Sequence, residues 1–224
     1  MSEQPTKEAS MNFQLPTLSA GKGEPGTNKV CAEQAVNWLV SGRLDLGDET
    51  DHPDCVQPVL NQLTIYVNDT VSDQDRQRMW PIILRQPGTA HPEMEPVLSV
   101  RLACYLADQV FDLVRLEDQA VCREAIDAAR ACCDDPSDEN KERAYAAANA
   151  AYAVNAAYAA ANAAYAAYAA NAAANAANAA YAAKRDLIDL LEGAQAECER
   201  LTGHTPTEMD PERIKRLAEM VGAR

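Results

Sequence analysis

The chain has 224 residues, with 34 acidic and 20 basic side chains and a net charge of −14 at neutral pH. Affinity for nucleic acid comes largely from Lys and Arg side chains that neutralise phosphates, so this balance argues against direct binding to a phosphate backbone. It argues equally against attachment to an anionic membrane surface. No run of about 18 strongly apolar residues predicts a membrane span.

The first 28 residues are expected to form a flexible N-terminal arm. They are polar and contain three Pro and three Gly without a period. Such a segment cannot bury enough apolar surface to offset the entropy lost on ordering. They also lack the continuous apolar core of a secretory signal. Without an export signal, the seven cysteines are expected to be reduced thiols, which places the protein in the cytoplasm.

Residues 29–135 are predicted to form a helical domain, because their apolar residues recur at intervals of three and four. The predicted helices span about 31–41, 56–67, 72–84, 97–116 and 118–133. Pro58 is tolerated in the first turn of the second helix, Ser72 caps the third, and Pro81 kinks or ends it. No segment alternates with a period of two, so the predicted class is all-α.

Residues 136–203 are predicted to form one very long Ala-rich helix. Asp and Pro at 134–136 mark a stop and restart, and no further proline occurs before Pro206. A helix from Ser137 to Leu201 would be about 95 Å long. Residues 204–224 are then expected to form a short C-terminal helix.

The tract 144–183 holds 27 Ala, six Tyr, six Asn, one Val and no charged residue. Tyr and Asn mark a repeat of thirteen residues, whose stripe drifts about −140° around a straight helix in each repeat. A fixed seam against one straight partner is therefore excluded. Two interpretations remain, a long helix that wraps or is wrapped by neighbouring helices, and an expanded repeat that is tolerated because it stays helical.

His52 and Cys55 have the short spacing of a metal-ligand pair, and Cys31 could approach them in a helical fold. These three residues are the candidate metal ligands, with zinc as the candidate ion. The competing interpretation is a turn that starts the next helix, with Cys55 packed as a small apolar residue. The other candidate thiols, Cys132 and Cys133, are explained more simply by burial. No HExxH, GxSxG, Walker A or GxGxxG motif occurs, which favours a non-catalytic protein with no cofactor.

Three segments carry a resemblance, VCAEQAVNWLVSG, DHPDCVQPVLNQLTIYVND and DQDRQRMWPIILRQPGT. Over about residues 18–115 the chain resembles a family of uncharacterised proteins of actinobacteria, related bacteria and their phages. The Ala-rich part is similar to helical repeats of bacterial immunity proteins. Those repeats usually carry Arg, Glu or His between the alanines, where this tract has Asn and Tyr. The resemblance implies a helical architecture and no reaction.

Two functional hypotheses follow from the sequence. The first is a non-catalytic helical protein that binds a protein partner, including an inhibitor or immunity protein whose acidic face mimics nucleic acid. The second is a small zinc-binding module or metal-dependent enzyme built on His52 and Cys55. The long helix also suggests a homo-oligomer.

Overall fold

A computed structural model describes residues 15–23, 28–41, 54–153, 177, 180, 181, 183, 185–206, 214 and 215. The helices are α1 (Ala32–Ser41), α2 (Pro58–Thr70), α3 (Asp73–Arg76), α4 (Trp80–Ile83), α5 (Glu95–Gln109), α6 (Gln119–Asp134), α7 (Asp138–Ala153) and α8 (Leu187–Thr202). Short 3-10 turns occupy Gln77–Met79, Phe111–Leu113 and Leu116–Asp118. The protein is mostly helical, as the sequence predicts. Of the predicted C-terminal helix over 204–224, the structure describes a helical conformation at Ile214 and Lys215.

Two short strands, which the sequence did not predict, precede α1. Strand β1 (Thr17–Leu18) pairs in parallel with β2 (Lys29–Val30), so that Thr17 lies opposite Lys29. The second strand leads directly into α1. The described part of the chain therefore begins with a small parallel ribbon rather than with a helix.

The prediction of a flexible arm over residues 1–28 is wrong for residues 15–23. Leu18 is 1% exposed and belongs to the main hydrophobic core. Its amide donates to Gln77 Oε1 at 3.0 Å, and its carbonyl accepts from Gln77 Nε2 at 2.9 Å. Trp80 Nε1 donates to the carbonyl of Pro16 at 3.0 Å. This segment is ordered because partners distant in sequence supply the apolar surface and hydrogen bonds that it lacks locally.

The main core is formed by one side of α1, α2, α4, α5, α6 and α8. Trp38 of α1 meets Trp80 edge to face, with ring centroids 6.5 Å apart and an interplanar angle of 67°. Such a pair stabilises a core by about 0.5–1.5 kcal/mol beyond the burial of its area. Ala177 and Ala180, near the end of the Ala-rich tract, are also fully buried in this core.

Helix α2 carries a buried polar face as well as an apolar one. Gln57, which precedes the helix, and Asn61, Thr64 and Asn68 follow one another at intervals of four, three and four, and each is at most 3% exposed. This spacing places them along one side of the helix. We call this set the polar face of α2. Polar groups buried in this way must find hydrogen-bond partners, so the face restricts what can pack against α2.

Arg76 closes the C-terminal end of the polar face. Its side chain is 3% exposed, and its Nε donates to the carbonyl of Asn68 at 2.6 Å. Its Nη2 donates to the carbonyl of Val71 at 2.8 Å, and its Nη1 pairs with Asp73. Asn68 Nδ2 in turn donates to the carbonyl of Ser19 at 3.0 Å. One guanidinium therefore satisfies the last carbonyls of α2 and links the helix to α3.

The prediction of one uninterrupted helix over 136–203 is wrong at residues 183, 185 and 186. The amide of Arg185 donates to the carbonyl of Ala180 at 2.9 Å, a bond of the type that ends helices. Asp186 has φ −71° and ψ 112°, and its side chain accepts from Ile188 N to start α8. The guanidinium of Arg185 bonds the carbonyl of Gln109 at the end of α5. Residues 154–176, the centre of the predicted helix, lie outside the described residues.

Helix α7, which opens the Ala-rich tract, packs against α6. Their interface is a small separate cluster that contains Ala125 and Ala128 of α6 and Ala144 and Ala147 of α7. Alanine side chains let two helix backbones approach closely. Alanines at this end of the tract therefore pack against a neighbouring helix.

Gly193 of α8 lies where Tyr105 of α5 crosses it. A Cβ added at Gly193 would lie 2.5 Å from the Tyr105 hydroxyl but 3.5 Å from its Cζ. At an exposed helical position, a Gly→Ala change stabilises the helix by about 1 kcal/mol. Here the steric clash of the new methyl group with the Tyr105 hydroxyl opposes that gain. We therefore expect Gly193→Ala to destabilise the protein, whereas the same change in a Tyr105→Phe background stabilises it.

Urea unfolding of the four proteins of this double-mutant cycle measures the interaction, which should be about 1 kcal/mol or more. An effect of Gly193→Ala that is the same in both backgrounds would contradict the described packing of α5 on α8.

Candidate functional site

Cys55 marks the place where the loop before α2 meets the loop before α5. Its carbonyl accepts from the amide of Gly88 at 2.9 Å and from the amide of Ala90 at 3.2 Å. Gly88 has φ +87°, a backbone conformation that residues other than glycine rarely adopt. A Cβ added at Gly88 would also lie 3.1 Å from Cε1 of His204. The two loops are therefore held together by backbone bonds rather than by the thiol.

Gln57 connects the two loops to α5. Its Oε1 accepts from Leu60 N at 2.9 Å and caps α2, and its Nε2 donates to Glu95 Oε1 at 3.0 Å and to Ser99 Oγ at 2.9 Å. The backbone amide of Gln57 donates to Thr89 Oγ1 at 3.1 Å. Because Gln57 is fully buried, these bonds fix the relative position of the starts of α2 and α5.

A groove of about 310 Å³ opens beside this junction. We call it the α2/α5 groove, and it is lined by Asp54, Val56, Pro58, Asn61, Ala90, Pro92 and Glu95. Its walls are largely apolar, and two carboxylates and one amide supply its polar groups. Asp54, one of its lining residues, belongs to the predicted site segment at residues 51–55.

The structure describes two of the three predicted metal ligands. His52 lies outside the described residues. Cys55 is half-buried, and burial raises the pKa of its thiol. Among the described residues, no three His, Cys, Asp or Glu side chains are arranged to hold a metal ion. The metal site at His52, Cys55 and Cys31 stays a prediction.

Cys31 has a local structural role at the start of α1. Its Sγ accepts from Gln34 N at 3.4 Å, while Gln34 Oε1 accepts from the amide of Cys31 at 3.0 Å. This reciprocal pair is a capping box in which a thiol replaces the usual hydroxyl. The same Gln34 oxygen accepts from Gly23 N at 2.8 Å, which ties the segment before β2 to the helix. Burial raises the pKa of the Cys31 thiol to about 12.

Sequence reasoning missed the groups that build the groove. Gln57, Thr89 and Glu95 join segments that are 32 and 38 residues apart, and no local period marks such a junction. One signal was available for Gln57, because it directly precedes Pro58 at the first turn of a helix and so occupies the capping position. No signal in the sequence pairs Gln57 with Glu95.

The arginines of the described segments are mostly engaged in internal ion pairs. Asp108 forms ion pairs with both Arg123 and Arg130, and Arg85 forms ion pairs with both Glu192 and Glu199. The arginines in ion pairs are Arg76, Arg78, Arg85, Arg101, Arg115, Arg123, Arg130, Arg185 and Arg200. Within the described part of the chain, few arginines remain unpaired, so they do not offset the excess of acidic side chains at the surface.

The α6–α7 hairpin presents both an acidic and an uncharged surface. Glu124, Glu139 and Glu142 are exposed there and form no ion pair with another described residue. Tyr145 is 59% exposed, on a helix that buries its alanines against α6. The hairpin thus offers carboxylates and an aromatic ring to any partner.

Within the described residues, no helix combines the length and apolar character that crossing a bilayer requires. All seven cysteines lie in the described segments, and none of them forms a disulfide there. Comparison of the chain with protein-family models, with curated proteins and with solved structures finds no match.

The buried thiols predict a specific dependence of stability on pH. Burial raises the pKa of Cys104 to about 12, whereas a thiol in an unfolded chain has a pKa of about 8.5. The fold favours the neutral thiol over the thiolate. The thiol's contribution to the free energy of unfolding is therefore complete below about pH 8.5 and is lost as the pH rises toward 12. We expect Cys104→Ala to reduce the loss of stability above pH 9 by roughly 1 kcal/mol per pH unit.

Urea unfolding of the parent and of Cys104→Ala at pH 8, 9 and 10 measures this difference. Lys and Tyr side chains titrate in the same range, but they are common to both proteins and cancel. Parallel stability curves for the two proteins would contradict the burial of this thiol.

Proposed function

We propose that the chain is a non-catalytic, cytoplasmic helical protein that acts by binding a basic protein partner. The observation that carries this proposal is the distribution of charge. The chain has a net charge of −14, and the described arginines are largely occupied by internal ion pairs. The outward field is therefore negative, which accelerates encounter with a positively charged surface and opposes binding to a polyanion.

The α6–α7 hairpin supports the proposal with accessible contact groups. Its exposed carboxylates Glu124, Glu139 and Glu142 can pair with Lys or Arg across an interface. The exposed ring of Tyr145 supplies amphipathic contact area at low entropic cost. Free thiols throughout the described chain support a reducing compartment.

A narrower form of the proposal is that the protein is an inhibitor or immunity protein. Its acidic surface would then occupy the nucleic-acid site of the partner. Competition distinguishes this form, since duplex DNA would displace the protein from such a partner and would leave other complexes intact.

A second proposal concerns self-association through the Ala-rich tract. The tract carries no charge over 40 positions, so copies of an otherwise strongly acidic chain meet there with least repulsion. The Ala contacts of α6 with α7 show that alanines of this tract accept close helix packing. Sedimentation at several concentrations tests this proposal.

The binding proposal predicts a partner whose affinity depends on salt and on carboxylates of the hairpin. A partner captured from bacterial extracts would be purified and titrated against the protein by calorimetry at 50 and 200 mM salt. We expect the affinity to fall roughly tenfold over this range, and further in a Glu124→Gln/Glu139→Gln/Glu142→Gln variant.

Asp112→Asn provides a matched control, because that carboxylate is already paired with Arg185. Failure to recover any partner at low salt would contradict the proposal. An affinity that is equal at both salt concentrations and in the triple variant would also contradict it.

A further inference from the structure

The α2/α5 groove combines an apolar wall with fixed carboxylates. Val56, Pro58 and Pro92 supply apolar surface, and Asp54 and Glu95 supply the charges. An extended apolar stem with a positive end matches these two features at once, since the methylenes of such a side chain pack on apolar surface while its head stays with carboxylates.

Glu95 is held in place before any ligand arrives. Its Oε1 accepts from Gln57 Nε2 at 3.0 Å and also from the hydroxyl of Ser99. Gln57 is fully buried and Ser99 is 6% exposed, so both donors are themselves fixed. A carboxylate positioned in this way binds a cation without the entropic cost of ordering its own side chain.

Asp54 does not cap α2, the helix that follows it. The first turn of α2 is capped by the side chain of Gln57, and Pro58 removes one of the amides that would need a partner. The carboxylate of Asp54 is exposed and has no ion-pair partner among the described residues. It is also one of the residues that line the groove.

An anion is the alternative ligand, because α2 and α5 both begin at the groove and helix N-termini favour negative charge. Both helices have proline in their first two positions, which reduces the number of free amides. Two carboxylates of the lining also repel an anion. The charge of the lining therefore favours a cation.

We infer that the α2/α5 groove receives an arginine side chain of the basic partner, with its stem on the proline wall and its guanidinium at Asp54 and Glu95. This inference rests on the proposed function and assigns that function a contact site.

The test uses the full chain and two short peptides. Acetyl-Gly-Arg-Gly-amide is titrated into isotopically labelled protein and amide shifts are followed by NMR, and the matched peptide carries citrulline, which has nearly the same shape without the charge. We expect the arginine peptide to shift amides of residues 54–61 and 90–97 in particular, and the citrulline peptide to bind at least tenfold more weakly.

Two charge-neutralising changes at the site are compared with one elsewhere. The double variant Asp54→Asn/Glu95→Gln keeps the shape of both side chains and an acceptor oxygen in each. We expect it to lower the affinity for the arginine peptide at least tenfold. Glu117→Gln, an exposed carboxylate of the 3-10 turn Leu116–Asp118, is the matched control and should leave the affinity unchanged. Unchanged melting temperatures and unchanged amide spectra away from the groove verify that each variant is folded.

Three results of the peptide titration would overturn the inference. They are shifts spread evenly over the acidic surface, equal binding of the citrulline peptide, and equal weakening by Glu117→Gln and by the groove variant. If the purified partner binds the groove variant as tightly as the parent, the groove assignment fails while the proposed function stands. If no partner is found, the proposed function fails, and the peptide titration still decides whether the groove takes arginine.

Discussion

The structure depends on the buried polar face of α2. Gln57, Asn61, Thr64 and Asn68 lie along one side of this helix and are almost completely removed from solvent. Burial of such groups favours arrangements in which hydrogen bonds replace those lost to water, because an unpaired buried amide costs about 1–3 kcal/mol. A purely apolar face would accept many packing arrangements, whereas this face accepts those that bring matching donors and acceptors.

The partners of this face come from segments far apart in the chain. Gln57 bonds Glu95 and Ser99 of α5 and the hydroxyl of Thr89, and Asn68 bonds the carbonyl of Ser19. The α2/α5 groove is a direct result, because the same bonds that satisfy Gln57 hold Glu95 at its edge. Packing and candidate site are thus produced by one set of contacts. The outward negative charge has a parallel origin, since the arginines are used in internal ion pairs.

The sequence predicts this fold best where apolar residues follow the helical period. Helices near α2, α5 and α6 were predicted within a few residues of most of their ends, and Ser72 caps α3 as expected, with its Oγ accepting from Asp75 N at 3.2 Å. Two errors have one cause. The order of residues 15–23 and the end of the tract at 183, 185 and 186 both depend on distant contacts, to Gln77 and to Gln109. Local helix propensity contains no information about such contacts.

The α2/α5 groove could not be predicted from the sequence. The segment near Cys55 was identified as a candidate metal site from its spacing to His52, which stays a prediction, and Asp54 of that segment lines the groove. The thiol of Cys31 forms a local cap, which its position before a helical run with Gln34 three residues later was sufficient to suggest. The pairing of Gln57 with Glu95 joins two helix starts, and only a three-dimensional arrangement brings these together.

Amide hydrogen exchange tests the central role of the α2 contacts most directly. The amides of Leu18, which donates to Gln77, and of Gly88, which donates to Cys55, should exchange with free energies close to that of Val71, which directly follows α2 and donates to the carbonyl of Val67. Their protection should also fall together with that of α2 as urea is added. Exchange of Leu18 and Gly88 at the rate of an unstructured chain, while Val71 stays protected, would contradict the account.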